Sequence, residues 1–420
     1  MPLMVDGDEQ NLQDGETPEE EEKRTEYQLL KESGGFKNCK VRREVLPKTR
    51  EKSSIRNLFS FLKTVIGKDL TKVTMPVYFN EPISFLQRLC EDLEYADLLN
   101  KAAECSDSAE RLAYVAAFMV SSYSTVPGRF WKPFNPLLGE TFEYINKEHG
   151  YTVIAEQVLH HPPVSAFHAE SQDWVFWQEY KLDTKFRGQY IKVCPTGMVH
   201  LKFKKSGDHY SWKKPQTIVH NIVFGTLWAE HDGEVVITSH QTNEVCTIHF
   251  QTYKRVRENY KIVTGQIRDS NGHICLLLDG HYEEKMEYTS VKNGLNSDPI
   301  LLWKVTPKPE IAPRMYGFTS FAMQLNEPDE DIQCPTDCRK RPDIRRLEEG
   351  KIDEAAREKC RLENKQRQAR RERETQGKQW SPRWFKLEED KDSNTSCHVY
   401  QGGYWQSRCE GKFEEMADIY

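Results

Sequence analysis

Residues 156–163 read Glu-Gln-Val-Leu-His-His-Pro-Pro, and the pair His160 and His161 running into Pro162 and Pro163 is the group best placed to do chemistry. Proline lacks a backbone donor and its ring closes the helical region to the residue before it. A strand carrying Val158 therefore ends here, with His161 extended. Consecutive strand side chains point to opposite faces, so both imidazoles reach one ligand only if the chain turns at this point. A phosphate group suits such a pair. It carries about −1.5 to −2 charges near neutral pH, and an imidazole becomes a double donor after a small pKa shift. On residue types alone, a phosphate site, a metal site and a structurally satisfied pair all stay open.

A second constellation lies near the C-terminus. Lys359, Glu363 and Arg367 are spaced by four within the charged, helical-looking stretch from Asp343 to Thr375. They share one helical face, with the glutamate between two cations. That pattern fits a solvated face whose ion pairs are worth under about 1 kcal/mol each, and equally a row that recognises an anion. Signals for other chemistry are missing: the chain has no G-x-S-x-G, no H-E-x-x-H and no glycine-rich phosphate loop. Its eleven cysteines show no CxxC pair, the nearest approach being Cys334 and Cys338, so neither a zinc site nor a disulfide framework is expected. No catalytic residue, metal or cofactor is assigned.

The elements that must position these groups fall into four stretches. Residues 1–50 are polar and acid-rich and read as a disordered tail. The first 24 residues carry a net charge of −7, so the other 396 sum to about +1, and attraction to anionic membranes must come from local basic patches. After Ser53 and Ser54, the residues Ile55, Leu58, Phe59, Leu62, Val65 and Ile66 follow one helical face up to Gly67. That helix is either core or lid. Further amphipathic helices are expected at 84–103 and 108–121. From Tyr144 to Leu325 short alternating segments such as Trp174–Tyr180, Tyr190–Val193, Val199–Phe203, Thr247–Phe250 and Ile274–Leu278 are separated by turns such as Arg187-Gly188 and Asp232-Gly233. This spacing indicates a large antiparallel sheet, and closing it removes exposed edges. Mean hydropathy is −0.75, no apolar run approaches the roughly 18 residues of a membrane span, and the N-terminus lacks the parts of a signal peptide. The expectation is a cytoplasmic protein, peripheral at membranes or membrane contact sites.

The stretch around the histidines resembles the EQVSHHPP signature of the oxysterol-binding protein family of lipid-transfer proteins, with Leu159 where that family usually has serine. Further blocks resemble the family in order: Asn80-Glu81-Pro82, Tyr114–Thr125, Lys132–Thr141, Val219–Ile222 and Pro335–Asp337. The resemblance runs from about residue 55 to Tyr420 and is strongest to the oxysterol-binding protein subgroup. It implies an α+β fold, an incomplete antiparallel β-barrel around a lipid tunnel with an N-terminal helical lid and a C-terminal helical region. The lipid-binding domain would span 51–420, with the lid at about 53–75, a helical layer at 80–125, the barrel at 140–326 and the C-terminal helical region at 335–420.

The same resemblance implies the site. His160 and His161 would bind the phosphate of phosphatidylinositol 4-phosphate, Lys359, Glu363 and Arg367 would line its headgroup pocket, and Lys132 with Asn135 would supply the other contact. Glu140 and Glu363 would orient cations or inositol hydroxyls. Leu58, Leu62 and the stretch Lys68, Asp69, Leu70, Thr71 and Lys72 would form the lid and touch lipid. Sterol or oxysterol, favoured over phosphatidylserine, would compete with the phosphoinositide for one tunnel and be exchanged for it between membranes. A sensor or scaffold that binds the same lipids without moving them is the alternative. A weak endoplasmic-reticulum receptor contact through residues 19–32 is also expected. No pleckstrin-homology-like segment precedes the lipid domain, which fits a short member or one isoform of a longer product.

Overall fold

A computed structural model describes residues 26–35, 42–50, 75–129, 131–221, 228–253, 261–292, 295–413 and 416–420. The expected lid helix and the positions Leu58, Leu62, Lys68, Asp69, Leu70, Thr71 and Lys72 lie outside these residues.

The helical layer begins where short polar side chains satisfy free backbone donors. The Ser84 amide donates to the Gln87 side chain at 2.7 Å in a reciprocal capping box, and Asp107 accepts from the Glu110 amide at 2.8 Å. Instead of one helix over 84–103, a 3₁₀ turn at Glu91–Leu93 separates Phe85–Cys90 from Asp97–Glu104. The next helix, Ser108–Ser121, is buried on nearly every side, including Leu112, Ala113, Val115, Ala116, Ala117 and Phe118. A helix apolar all round needs cover all round. The sheet supplies it, and the alanines let strands approach closely.

Among the described residues, fifteen antiparallel strands between Thr141 and Lys304 make that sheet. Two long strands fork. Trp174–Phe186 pairs with Val199–Phe203 along its first part and with Tyr190–Pro195 along its last. Trp228–Ser239 pairs with Gln216–His220 at its start and with Tyr210 and Ser211 at its end. The two halves of the sheet are thus joined by two routes, which bends it into a partly closed ring. Alternation sets the inner face, as in Val245–Phe250, where Cys246, Ile248 and Phe250 are buried. Trp174, Phe176 and Phe203 point into the same core, and the Phe118 and Phe176 rings meet edge-on at 5.7 Å.

Two expectations need correction. Residues 26–35, expected to be part of the disordered tail 1–50, are ordered here, because Glu26–Glu32 is a helix with Tyr27 and Leu30 buried. Tyr27 donates to the Gly150 carbonyl at 2.8 Å, and Glu26 accepts from the Tyr400 hydroxyl and the Gly403 amide. Two apolar anchors at helical spacing are enough to dock so short a segment on a preformed surface. This also places Tyr27, the aromatic of the expected receptor contact, against the body of the protein. The C-terminal region, expected to be helical, contains a β-hairpin, Phe385–Asp390 with Thr395–Tyr400, between the helices Ile352–Thr375 and Tyr404–Glu410. Phe385, Trp384 and Tyr404 bury against Ile154, Val158, Val164 and Ala166, so the hairpin covers the outside of the ring.

Candidate functional site

The histidine pair sits at the tip of a hairpin formed by Tyr151–His160 and Pro163–Ser171, with His161 and Pro162 as the turn. The turn required by the alternation argument is present. Just before it the register slips: Gln157 faces Ser165, yet Leu159 faces Val164. Such a bulge re-aims the side chains that follow it. Gln157 holds it in place, donating to the Leu159 carbonyl at 2.8 Å and accepting from the Ser165 hydroxyl at 2.6 Å. The position that departs from the family signature therefore contributes its carbonyl, while the Leu159 side chain is exposed. Glu156 accepts from the Arg383 and Trp384 amides at 2.8 and 2.9 Å, and burial pushes its carboxyl up to about 7. It pins the chain leading into the covering hairpin.

His160 is half-buried and His161 exposed, with ring centroids 4.6 Å apart. Gln366, on the helix Ile352–Thr375, fixes the state of His160. The Leu138 amide donates to Gln366 Oε1 at 2.8 Å, so the Gln366 amino group faces His160 Nε2, 2.7 Å away. Nε2 must then accept, and the ring proton lies on Nδ1. Nδ1 is buried and has no hydrogen-bond partner among the described residues. Burial, then the neighbouring His161, Arg370 and Arg341, holds the His160 pKa down to about 4. The group is a neutral donor at pH 7, aimed and unused.

The helix also carries Lys359, Glu363 and Arg367. Lys359 Nζ donates to Glu363 at 2.6 Å and to the Met75 carbonyl at 3.2 Å, which forms the Lys359 half of the row along the face. Arg367 is exposed and donates to Asn364 at 2.7 Å. Lys132 opens a short strand, Lys132–Phe134, paired in parallel with Asn80–Ser84, and its Nζ donates to Asn135 Oδ1 at 3.1 Å. Burial, then the nearby Lys359 charge, lowers Lys132 to about 8, with Glu363 acting the other way.

Arg341 braces this loop from beneath. Buried, it donates to Glu140 and to the Asn135 carbonyl at 2.8 Å each, and grips Asp343 with two nitrogens at 2.8 and 2.9 Å. Glu140 also accepts from the Leu137 amide at 2.9 Å and from Ser84. Two carboxylates neutralise the Arg341 cation, so it shapes the Asn135 loop rather than offering free charge. Gly139 lets the loop close. Its φ of +82° is left-handed, and a Cβ there would stand 2.7 Å from the Trp380 ring.

The structure thus gathers His160, Lys132, Asn135, Lys359 and Glu363 into one electrostatic neighbourhood with His161 on its exposed side, while Arg367 is exposed and bonds Asn364 on its own helix. Sequence reasoning missed Gln366, Arg341 and Arg370. Gln366 lay within reach, seven residues after Lys359 and three after Glu363 on the same face. Nothing in sequence marks Arg341, whose partners are brought together by folding. Inside the ring, Phe118, Met119, Tyr123, Phe176, Val199 and Trp212 line a narrow apolar cleft with Ser122, Asp92 and Lys214 at its polar side. The buried Tyr123 hydroxyl has no hydrogen-bond partner among the described residues.

This geometry has counterparts. Residues 57–409 match the family model described as oxysterol-binding protein. Mouse oxysterol-binding protein 2 is 42% identical over 400 residues, covering 88% of this chain and 44% of the mouse protein. Oxysterol-binding protein-related protein 1B of Arabidopsis thaliana is 40% identical, over 90% of this chain and 77% of its own. Human oxysterol-binding protein-related protein 1, 37% identical, is likewise spanned over only 44% of its length, with 91% of this chain covered. Among solved structures, the Osh1 ORD domain in complex with cholesterol superposes with a TM-score of 0.86 at 36% identity, covering 96% of this chain and all of that one. The Osh3 ORD from Saccharomyces cerevisiae in complex with PI(4)P gives 0.77 at 33% identity, covering 90% of this chain and 99% of that one. With its partly closed ring, its covered histidine hairpin and this breadth of similarity, the chain belongs to the oxysterol-binding protein family.

Proposed function

We propose that this chain is a non-enzymatic lipid carrier that holds either a sterol or phosphatidylinositol 4-phosphate and exchanges the two between membranes. The observation that carries the reading is His160: a neutral imidazole whose Nδ1 proton is buried with no hydrogen-bond partner among the described residues, beside exposed His161 and near Arg341 and Glu363, both of which also act on Lys132. An anion supplies the missing acceptor. Removing a lipid phosphate from water costs several kcal/mol unless cationic donors replace its shell, and these residues replace it at the rim of the ring. His161 is free to add a second donor, while Arg367 and Arg370 extend the positive face of the helix. Glu363 and Asn135 restrain the two lysines.

The apolar partner is met inside the ring. A sterol is a rigid apolar body with one hydroxyl; the cleft lined by Phe118, Phe176 and Trp212 has a volume of only about 10 Å³, so a sterol enters only if these side chains part. Each buried methylene is worth about 0.8 kcal/mol. A lipid tail and a sterol compete for such an interior, so occupancy is exclusive. The Osh1 domain in complex with cholesterol and the Osh3 domain in complex with PI(4)P support both ligand classes. The described residues contain no helix long and apolar enough to cross a membrane, and transfer would proceed from the membrane surface.

The test is displacement followed by transfer. Protein loaded with labelled sterol and titrated with liposomes containing phosphatidylinositol 4-phosphate should release label in proportion, and should move label between two liposome populations. Release without movement would turn the reading to a sensor. Occupancy by both lipids at once would refute exchange.

A further inference from the structure

The outer face of the ring carries a second histidine cluster, separate from the first. In the hairpin Met198–Phe203 with His209–Lys213, His200 faces Ser211 and Lys202 faces His209, which makes His200 and His209 diagonal neighbours on one face. His200 Nδ1 and His209 Nε2 are 3.1 Å apart. Asp390, from the covering hairpin Phe385–Tyr400, brings Oδ2 to 3.8 Å from the first and 3.9 Å from the second. Tetrahedral zinc with ligands at about 2.0–2.1 Å requires donor atoms about 3.3–3.4 Å apart. The three atoms already form a triangle near that size, within 4.8 Å of one another.

The hydrogen bonding shows what the triangle lacks. His209 Nδ1 is 2.8 Å from Asp392 Oδ2, and an ionised carboxylate only accepts, so the ring proton lies on Nδ1 and the Nε2 lone pair accepts from His200 Nδ1–H; a metal ion takes the place of that proton, which moves to His200 Nε2 or to solvent. A carboxylate bound to the far nitrogen of a histidine is the usual support behind a metal ligand. His200 is fully buried, with the Trp177 ring stacked on it at 4.9 Å and 4°. Two imidazoles and a carboxylate thus converge on one point. His240 stands beside them, its ring 4.9 Å from His209 and its Nε2 2.8 Å from the Ser211 hydroxyl.

We propose that His200 Nδ1, His209 Nε2 and Asp390 Oδ2 bind a divalent first-row transition ion, best suited to zinc, with water in the fourth position. Imidazole and carboxylate donors in a small tetrahedral set suit zinc. The ion would tie the covering hairpin to the ring wall, joining residues 190 positions apart in the chain and stabilising the segment that Glu156 pins through Arg383 and Trp384.

The test uses the full chain with Cys360→Ser and Cys409→Ser, since these exposed thiols would compete for zinc. Chelator-stripped protein is titrated with Zn²⁺ alone at pH 7.5 by calorimetry, and with Co²⁺ alone while tetrahedral d–d absorption is recorded. One ion per chain is expected, with at least tenfold weaker binding in Asp390→Asn and a zinc-dependent rise in melting temperature that this variant loses. Asp392→Asn should weaken binding less, because it releases only the His209 tautomer. Both variants keep side-chain size, and circular dichroism of the metal-free proteins checks that each is folded. Absence of stoichiometric uptake, or equal uptake by the parent and Asp390→Asn, would overturn the proposal. So would proton uptake by the pair without any metal binding.

Discussion

Lys132 makes the proposed headgroup site measurable through pH. Its ammonium sits at about 8 rather than 10.5, because burial and Lys359 penalise the charge more than Glu363 and Asn135 support it. A phosphate dianion beside it should return the group to its ordinary value. The free site binds a proton only below about pH 8, whereas the occupied site keeps it to about pH 10, so phosphoinositide binding takes up a proton between these values and weakens as pH rises. Linkage between the two pKa values gives a loss of about tenfold in affinity from pH 7 to pH 9. Near pH 8 the uptake should be about half a proton per ligand, since the free group is then half-charged. The phosphate is already fully ionised in this range, its second pKa being about 6, and His160 is neutral throughout. The assay is calorimetry with a soluble short-chain phosphatidylinositol 4-phosphate in buffers of different ionisation enthalpy. Lys132→Met should bind weakly with a flattened pH profile, and Lys132→Arg should bind with an equally flattened one. A wild-type slope that persists in Lys132→Met would refute the argument.

His160→Ala combined with His161→Ala should abolish extraction of phosphatidylinositol 4-phosphate from liposomes and leave sterol binding near wild type, because both donors lie at the rim and outside the apolar cleft. Loss of both ligands in a folded double variant would mark the pair as structural. Gly139→Ala should lower stability by roughly 1–2 kcal/mol for the left-handed backbone alone, and more if the Trp380 ring cannot move. Thermal or urea unfolding of the variant reads this, and an unchanged midpoint would show that the loop relaxes freely.

Local chemistry was legible in the sequence. Pro162 and Pro163 terminate the strand carrying Val158, and the spacing of Lys359, Glu363 and Arg367 places them on one face, because proline sterics and helical periodicity act over a few residues. The alternation in Thr247–Phe250 and its neighbours likewise announced a large antiparallel sheet. The correct reading of residues 26–35 was not available, since Tyr27 and Leu30 become anchors only on a surface assembled from Gly150, Tyr400 and Gly403. The covering hairpin was hidden for the same reason: Phe385 and Trp384 gain their stability from Ile154 and Val158, more than 200 residues away. Tertiary structure also decided the chemical state of the key groups. His160 is a neutral Nδ1 donor because Gln366, oriented by the Leu138 amide, occupies Nε2 while burial excludes the charged form. His200, His209 and Asp390 became a constellation only when a strand pair and a distant hairpin met. Sequence fixes residue type and short-range spacing, whereas proton position and ligand convergence depend on desolvation and on contacts between segments that only the folded chain brings together.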